Sequence, residues 1–273
     1  MERQSENIHM MTPLKYRTLW ISDLHLGSRG CNADYLLDFL RNTQCDYLYL
    51  VGDIIDLWAM KRGFYWPQSH NDVIRTILGK AKHGTKVIYI PGNHDEPIRD
   101  HVGTEFGNIE IKRRDIFTTA TGKRLLILHG DEFDSIVCYS RFVAHVGDVA
   151  YELLLKFNRY FNYVRRKLGY PYWSISAYIK HKVKNAVAVI SNYEEAVVNE
   201  ARKAKVDGVV CGHIHHPEIK IMDGVLYCND GDWVESCTAL TENFDGKLEV
   251  IHWSDQCNTL HTHNEESAIA SNA

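Results

Sequence analysis

Five short apolar segments of strand length constrain the fold of this 273-residue chain more than any other feature. They are rich in β-branched, aromatic and leucine residues and lack the 3.6-residue period of a surface helix, which is typical of strands buried on both faces. Helical patterns lie between them, so the sequence predicts an α/β protein. The five segments are Thr18–Ile21, Tyr47–Val51, Lys86–Ile90, Arg124–Leu128 and Gly208–Cys211.

Capping residues predict where three helices begin. Asn32 and Asn71 each precede a helical pattern, and the second of these helices is expected to end at His83-Gly84. Residues Ser191 to Glu194 have the spacing of a capping box in front of a third helix. Hairpin turns are expected nearer the C-terminus, at Asp223-Gly224 and Asp245-Gly246.

Composition excludes disordered, fibrous and membrane-spanning classes. Hydrophobic residues make up 45% and charged residues 24% of the chain, which are ordinary globular values, and no run of ~18 apolar residues occurs. The seven cysteines form no C-x-x-C pair, so we expect reduced thiols in a cytoplasmic protein. The polar ends, residues 1–15 and 254–273, are expected to be mobile tails of a domain over residues 16–253.

Each of the five apolar segments runs into side chains of the types that bind metal ions. Singly, such fragments are weak evidence, because a Gly-Asp pair after a strand is usually a turn. Ligands of open α/β sheets bind beyond the carboxyl ends of the strands, so the five ends are expected to converge. Their coincidence therefore favours one metal-binding site. The fragments are Asp23-Leu24-His25, Gly52-Asp53, Gly92-Asn93-His94-Asp95, His129-Gly130-Asp131 and His213-Ile214-His215.

The motifs D-x-H, G-D, G-N-H-D, H-G and G-H-x-H, in this order, resemble those of the calcineurin-like metallophosphoesterase superfamily. They extend from Ser22 to His216. The resemblance implies a layered β-sheet sandwich flanked by helices. Within the superfamily, the chain resembles the UDP-2,3-diacylglucosamine pyrophosphatase branch. The segments that carry this second resemblance are Ile21–Leu26, Val51–Trp58, His129–Asp131 and Tyr227–Ser236.

The same resemblance implies a centre of two divalent metal ions. One ion would be held by Asp23, His25 and His215, and the other by Asn93, His129 and His213. Asp53 would bridge them, because a carboxylate has two oxygens. Two such cations and two carboxylates leave a net charge of about +2, which suits an anionic phosphoryl group. Mixed nitrogen and oxygen ligation suits Mn, Fe, Zn or Co, and the resemblance favours Mn.

Two further residues are expected to take part in catalysis. If Asn93 is a ligand, His94 is free to act as a general acid, which matters most for a poor leaving group such as an alkoxide. Asp95 is expected to orient the His94 ring and to favour its protonated form. Many members of the pyrophosphatase branch carry Arg at this position, so a histidine keeps a phosphodiester or monoester substrate open. Asp131 and, more weakly, Arg166 are expected to contact the substrate.

A basic, aromatic segment separates the fourth motif from the fifth. From Arg141 to Lys184 it contains nine Lys or Arg, two acidic residues and ten aromatic residues, and we expect a helical cap insertion at about 135–190. It either packs its apolar stripe on the sheet or presents a lipid groove and a basic face to a membrane. Arg165, Arg166 and Lys167 suit the second alternative. Nucleic acid is less favoured, because the basic cluster is confined to the insertion and the net charge is -4.

Three classes of function follow. The first is a lipid-linked nucleotide pyrophosphatase of lipid A biosynthesis, cytoplasmic and peripheral on the inner membrane, that converts UDP-2,3-diacylglucosamine to UMP and 2,3-diacylglucosamine 1-phosphate. The second is a phosphodiesterase or phosphomonoesterase acting on a soluble nucleotide or nucleic acid. The third, a non-catalytic scaffold, predicts lost ligands, whereas all five motifs are present. A deep apolar channel in the insertion would favour the first class over the second.

Overall fold

A computed structural model describes residues 13–133 and 176–254, with side chains from 13–133 and 190–254. The described residues fall into two compact units, one reaching Asp131 and resuming at Ala201, and one within 132–200. Nearly all of both expected tails, and the expected insertion as far as residue 175, lie outside the described residues.

The first sheet of the larger unit has seven strands. They are β1 (Leu14–Ile21), β2 (Thr43–Val51), β3 (Lys86–Ile90), β4 (Glu105–Phe106), β5 (Ile109–Ile111), β11 (Thr238–Glu242) and β12 (Leu248–His252). Their order in the sheet is β12-β11-β1-β2-β3-β5-β4. The four strands β1, β2, β3 and β5 run parallel, and the outer strands are antiparallel to their neighbours.

A second sheet of five strands completes this unit. It contains β6 (Asp115–Thr118), β7 (Arg124–Ile127), β8 (Gly208–Cys211), β9 (Glu218–Met222) and β10 (Val225–Asn229), in the order β6-β7-β8-β10-β9. The five predicted strands are therefore divided, three in the first sheet and two in the second. The strand ends that were expected to converge therefore come from two sheets.

Four α-helices are described: α1 (Ala33–Asn42), α2 (Leu57–Arg62), α3 (Gln68–Lys82) and α4 (Ser176–Lys203). Short 3-10 helices cover Glu96–His101 and Asp131–Phe133. The start of α1 after Asn32 is confirmed, although the Asn32 side chain donates to Val234 O instead of capping the helix. The two other predicted starts are wrong. Helix α3 begins at Gln68, and Asn71 lies inside it and accepts from Trp66 Nε1.

The predicted capping box from Ser191 to Glu194 lies in the middle of α4. The stretch before it, Ser176–Ile190, contains neither proline nor glycine, so nothing in the sequence stops the helix from starting earlier. The two hairpin turns are confirmed. Asp223 and Gly224 both have positive φ (48° and 84°) between β9 and β10, and Gly246 (82°) turns the chain between β11 and β12.

Alternating residues of the central strands fill two cores. In β1, Leu19 and Ile21 face a cluster that includes residues of α1 and α3, whereas Trp20 faces the second sheet. The Trp20 ring meets Phe117 of β6 edge-on at 5.3 Å. This two-residue period places one core between sheet and helices and the other between the sheets. The predicted layered sandwich flanked by helices is confirmed.

The described part of the chain shows two other features that bear on function. Its cysteines are free thiols, namely Cys31, Cys45, Cys211, Cys228 and Cys237. Among the described helices, none combines the length and apolarity needed to cross a bilayer.

Candidate metal centre

The ends of strands from both sheets meet at one point of the larger unit. Beyond β1 and β2, Asp23 N donates to Gly52 O at 3.0 Å. The second sheet is joined to the first by His129, whose Nδ1 lies 2.8 Å from Val51 O. His213 N donates to Asp23 Oδ2 at 2.9 Å. The strand ends that carry the predicted ligands are thus connected directly to one another.

Backbone strain is concentrated at this point. Nine non-glycine residues of the described chain have positive φ, and five of them are predicted ligands. For residues other than glycine this conformation costs about 1–2 kcal/mol each, and it persists where the surrounding structure imposes it, most often at functional sites. The five strained ligands, with φ between 51° and 70°, are Asp23, His25, Asp53, His213 and His215.

The predicted ligand atoms form two clusters that share the surroundings of Asp53, and a third group of possible ligand atoms, from His25, Asp53 and His94, overlaps both. Asp23, His25 and His215 form one cluster, and Asp53, His129 and His213 form the other, each with its ligand atoms within 4.8 Å of one another. Oδ2 of Asp53 lies 3.9 Å from His25 Nε2 and 3.5 Å from His129 Nε2. One carboxylate oxygen therefore faces a histidine of each cluster, which is the position a bridging ligand needs.

Two buried oxygens provide a test of whether a cation fits. Within the described chain, the buried Asn93 Oδ1 forms no hydrogen bond, and the buried Asp23 Oδ1 lies 3.1 Å from Nε2 of His215, itself a candidate ligand. The other oxygen of Asp23 accepts from Ser22 Oγ at 2.6 Å. A buried acceptor without a hydrogen bond costs about 1–3 kcal/mol. A hard or borderline divalent cation would satisfy both oxygens, so the donor set fits the metal ions that the resemblance implies.

Hydrogen bonds to Nδ1 turn the other nitrogen of two histidine rings towards the centre. His25 Nδ1 lies 3.3 Å from Asp56 Oδ2, and His129 Nδ1 bonds to the Val51 carbonyl. A carbonyl accepts only from a protonated nitrogen, so Nδ1 of His129 carries a proton, and Nε2 is the nitrogen left to bind a metal ion once it has lost its own proton. Metal-binding histidines are usually held in this way by a carboxylate or carbonyl.

Asp56 also holds His94, and here the predicted role of Asp95 is wrong. His94 Nδ1 lies 2.9 Å from Asp56 Oδ1, and its Nε2 lies 4.0 Å from Asp53 Oδ2. The ring of Trp58 lies against His94 with centroids 4.4 Å apart. Asp56 was outside the predicted site. Its signal in the sequence is its place before α2, where it caps Ala59 N at 2.7 Å.

Asp95 shapes the backbone instead. It is fully buried, and it accepts from Gly92 N, from Ile54 N at 2.8 Å and from the Tyr89 hydroxyl. These bonds close the turn after β3 and tie it to the turn after β2. The two turns are very close: a Cβ added at Gly92 would lie 2.3 Å from Asp53 Oδ1. Asp95 therefore positions the turn that carries Asn93 and His94, but does not touch His94 with its carboxylate.

In the centre, neighbouring charges and hydrogen bonds shift the pKa values in the direction opposite to the effect of burial. Burial raises the pKa of the Asp53 carboxyl, but attraction from His129 outweighs it and lowers the pKa below the usual value. Burial likewise opposes the ionisation of Asp56, but hydrogen bonds from His25 and His94 lower its pKa. Burial opposes protonation of His129, yet the charge of Asp53 raises its pKa to about 10. The carboxylates thus produce a field that strongly favours a cation at this point.

A chain of hydrogen-bond contacts behind Asp23 was not predicted from the sequence. Burial raises the pKa of Asp230 well above its usual value, and Asp230 Oδ1 accepts from Ser22 Oγ at 2.7 Å. The same hydroxyl lies 2.6 Å from Asp23 Oδ2. These contacts hold one oxygen of Asp23 away from the centre, and they explain part of the N-D-G-D segment that contributed to the resemblance.

Of the two residues predicted to contact the substrate, the structure describes one. Asp131 forms a bidentate ion pair with Arg99, with both oxygens 2.7 Å from Nη2, and Arg99 also donates to Pro91 O at 3.1 Å. This pair fixes the segment after β7 to the turn after β3, and a contact between Asp131 and substrate stays a prediction. Arg166 lies outside the described residues.

Several curated relatives of the chain carry the same name. A UDP-2,3-diacylglucosamine hydrolase of Photorhabdus laumondii is 27% identical over 229 residues, which are 77% of this chain and 88% of the relative. The protein of that name from Escherichia coli O7:K1 is 26% identical over 212 residues, 74% of this chain and 83% of the relative. The match thus extends over most of each relative.

Solved structures similar to the chain include a novel archaeal phosphodiesterase (13% identity, TM-score 0.39, covering 86% of this chain and 98% of that one). Vps29 of Entamoeba histolytica complexed with zinc is also similar (14% identity, TM-score 0.40, covering 86% and 98%). At these scores the likeness carries no functional weight.

The family described as calcineurin-like phosphoesterase matches residues 16–217, a range that includes every predicted metal ligand. The five motifs, the two clusters of ligand atoms and this match agree. The chain belongs to the calcineurin-like phosphoesterase family and is a metal-dependent phosphoesterase.

Proposed function

We propose that this enzyme hydrolyses the pyrophosphate bond of UDP-2,3-diacylglucosamine and releases UMP and 2,3-diacylglucosamine 1-phosphate. The proposal is supported chiefly by curated relatives that carry this name and match over 88% and 83% of their own length. A complete set of candidate metal ligands at the strand ends of this chain supports the chemistry.

Two divalent ions, for which we propose Mn ahead of Fe, Zn or Co, would be held by the six residues of the two clusters and by Asn93. When bound, such ions neutralise charge on the phosphoryl oxygens and lower the pKa of bound water from 15.7 to about 7. The chain's own contribution is to hold the ligands with fixed tautomers. Asp56 fixes the ring of His25, and Val51 O fixes that of His129.

His94 would act on the leaving group. Burial lowers the pKa of the His94 ring, but its bond to Asp56 and the charge of Asp53 raise it above the usual value. Both effects favour the protonated ring, in which Asp56 would hold Nδ1–H and Nε2–H would be available to an oxygen in the centre. A protonated ring beside Trp58 would stabilise the charge on a departing phosphate of UMP or of the acylated sugar.

The same residue supports a second candidate function. A general acid contributes most when the leaving group is a poor one, such as an alkoxide. A phosphate leaving group needs only a fixed cation, and many members of the resembling branch have Arg at this position. A phosphodiesterase or phosphomonoesterase acting on a soluble nucleotide or nucleic acid is therefore the alternative.

We further propose that the enzyme is cytoplasmic and binds the inner membrane peripherally, where a diacyl substrate is found. The predicted contact is the basic cluster Arg165, Arg166 and Lys167, which lies outside the described residues. Replacing these three cations by Ala should weaken co-sedimentation with anionic liposomes. Unchanged sedimentation would remove the insertion from the membrane proposal.

Product analysis distinguishes the two functions. The purified enzyme is incubated with UDP-2,3-diacylglucosamine and, separately, with bis-p-nitrophenyl phosphate, with and without Mn, beside the Asp53→Ala variant. We expect Mn-dependent release of UMP in equimolar amount with the acylated sugar phosphate. Hydrolysis of bis-p-nitrophenyl phosphate without release of UMP would favour the alternative.

A further inference from the structure

An exposed aromatic and basic loop lies beside the metal centre. We define the aromatic–basic loop as residues 58–66, which comprise all of α2 after Leu57 and the four residues that follow the helix, with the sequence W-A-M-K-R-G-F-Y-W. Trp58 is 44% exposed and Phe64 78%, and Lys61 and Arg62 are both exposed. Residues 57–71 contain no acidic side chain. Large exposed apolar side chains combined with cations are the composition of a contact with an anionic surface.

The loop continues directly from the metal centre. Asp56, which binds His25 and His94, also caps α2 through Ala59 N. One face of Trp58 lies on His94. Positions 58, 61 and 62 of α2 have the i, i+3, i+4 spacing of one helix face, so the cations share a face with Trp58. A surface that docks here holds its molecules close to the reacting groups.

Contacts of Tyr65 and Trp66 hold the end of the loop in place, and they fix the position of the neighbouring Phe64. Rings of Tyr65 and Trp66 meet the buried His70 edge-on at 5.7 and 5.5 Å. His70 Nδ1 accepts from Gly27 N at 3.0 Å, which anchors it to the loop after β1. Arg29, also exposed, lies over the Tyr65 ring at 4.4 Å. The exposed side chains at the tip are therefore organised in advance, which reduces the entropy lost on binding.

From this arrangement we infer that the aromatic–basic loop docks the enzyme on an anionic phospholipid surface. Phe64 enters the apolar boundary of the bilayer, Trp58 lies at headgroup level, and Lys61, Arg62 and Arg29 face the phosphates. The loop is a different segment of the sequence from the cluster Arg165–Lys167. The inference concerns where substrate is delivered, and it rests on the proposed function only for the identity of that substrate.

Charge complementarity favours a membrane over a nucleic acid as the partner. Single strands bind by stacking several bases on exposed aromatic faces along a basic groove. Here Tyr65 lies under Arg29, Trp66 lies against His70, and one face of Trp58 is covered by His94. A membrane needs only a local basic patch, which is compatible with a chain whose overall charge is -4.

Vesicle co-sedimentation of the full chain tests the inference. Vesicles of phosphatidylcholine alone are compared with vesicles containing 30% phosphatidylglycerol, using the wild type, Phe64→Ala, the double variant Lys61→Ala/Arg62→Ala, and Phe106→Ala. Phe106 is the matched control, because it is 71% exposed on the edge strand β4. Thermal midpoints and hydrolysis of bis-p-nitrophenyl phosphate show that each variant is folded.

We expect the wild type to bind the anionic vesicles more tightly than the neutral ones. Each cation near an anionic surface is worth ~1 kcal/mol, so the double variant should lose about 20- to 30-fold in affinity. Phe64→Ala should lose about 10-fold, and Phe106→Ala less than twofold. Because the insertion is intact in every variant, these differences belong to the loop.

Three results would overturn the inference. The first is that the wild type does not bind anionic vesicles, and the second is that Phe64→Ala and Phe106→Ala lose equal affinity for them. The third is that binding of single-stranded DNA depends on Phe64 while vesicle binding does not. The proposed function is tested separately, by analysing the products that the enzyme forms from UDP-2,3-diacylglucosamine. An enzyme with another substrate that still docks through Phe64 would keep the inference and reject the substrate.

Discussion

The turn after β2 and the turn after β3 supply the centre with side chains of different charge. The first turn supplies negative charge, through Asp53 at the clusters and Asp56 behind two histidines. The second supplies neutral or cationic groups, the Asn93 amide and the His94 ring, and its own carboxylate, Asp95, is directed into its backbone. Asp56 and Asp95 look alike in sequence, since each follows a predicted ligand by two or three positions.

The difference shows that adjacency in sequence is a poor guide to which carboxylate orients a catalytic side chain. Asp95 is next to His94 in the chain, but its bonds to Gly92 N and Ile54 N turn it away from the ring. Asp56 is 38 residues distant and reaches His94 across the two turns. Four substitutions, two in each turn, test this division of roles.

Asp53→Ala should have the largest effect. It removes the one carboxylate that faces both clusters, and with it several kcal/mol of charge stabilisation, so turnover of bis-p-nitrophenyl phosphate should fall at least about 10⁴-fold. Steady-state kinetics at saturating Mn measure the loss. Retained activity would contradict the assignment of Asp53 as a bridge.

His94→Arg tests the reacting group of the second turn. With an alkoxide leaving group the rate should fall about 10²- to 10⁴-fold, the usual contribution of a general acid. With a pyrophosphate substrate the change should be small, because a fixed cation is enough. The ratio of kcat for the two substrates is the measurement, and equal losses for both would show that His94 does not protonate the leaving group.

Asp56→Asn removes the charge behind His25 and His94 but keeps the size of the side chain. Loss of such a supporting carboxylate typically costs about 10- to 100-fold in activity or metal affinity. Because the bond to Asp56 raises the pKa of His94, the basic limb of the pH–rate profile should move to lower pH. An unchanged profile would indicate that Asp56 only caps α2.

Asp95→Asn should have the smallest effect on rate and a clear effect on stability. An amide nitrogen in place of one oxygen would face the donors Gly92 N or Ile54 N, which costs about 1–3 kcal/mol of unfolding free energy. Chemical denaturation measures this loss, and kcat at saturating Mn should change less than about threefold. A rate loss equal to that of Asp56→Asn, at unchanged stability, would restore the role that the sequence assigned to Asp95.

The sequence predicts much of the fold because its central strands are continuous apolar runs. β3 and β8 have the predicted bounds, and β1 and β2 begin four residues earlier than predicted. The short strands β4, β5 and β6 were missed, because a segment of two to four residues is too short to show a clear period. Division of the strands between two sheets was not predictable from strand patterns alone, since pairing depends on long-range contacts.

The candidate ligands were found because their residue types recur at strand ends. Their supporting groups were missed because support depends on contacts across the fold. Asp230 reaches Ser22 over 208 residues, and Arg99 reaches Asp131 over 32. Apart from the residue types, nothing in the neighbouring sequence indicates that either contact forms. The close approach of Gly92 to Asp53 likewise follows from tertiary packing.

Metal content tests the central claim most directly. The purified wild type and the Asp53→Ala variant are dialysed against Mn and analysed by inductively coupled plasma mass spectrometry, with Phe106→Ala as the control for handling. The account predicts two Mn ions per chain in the wild type and in Phe106→Ala, and fewer than two in Asp53→Ala. One ion or none in the wild type, or two in Asp53→Ala, would contradict it.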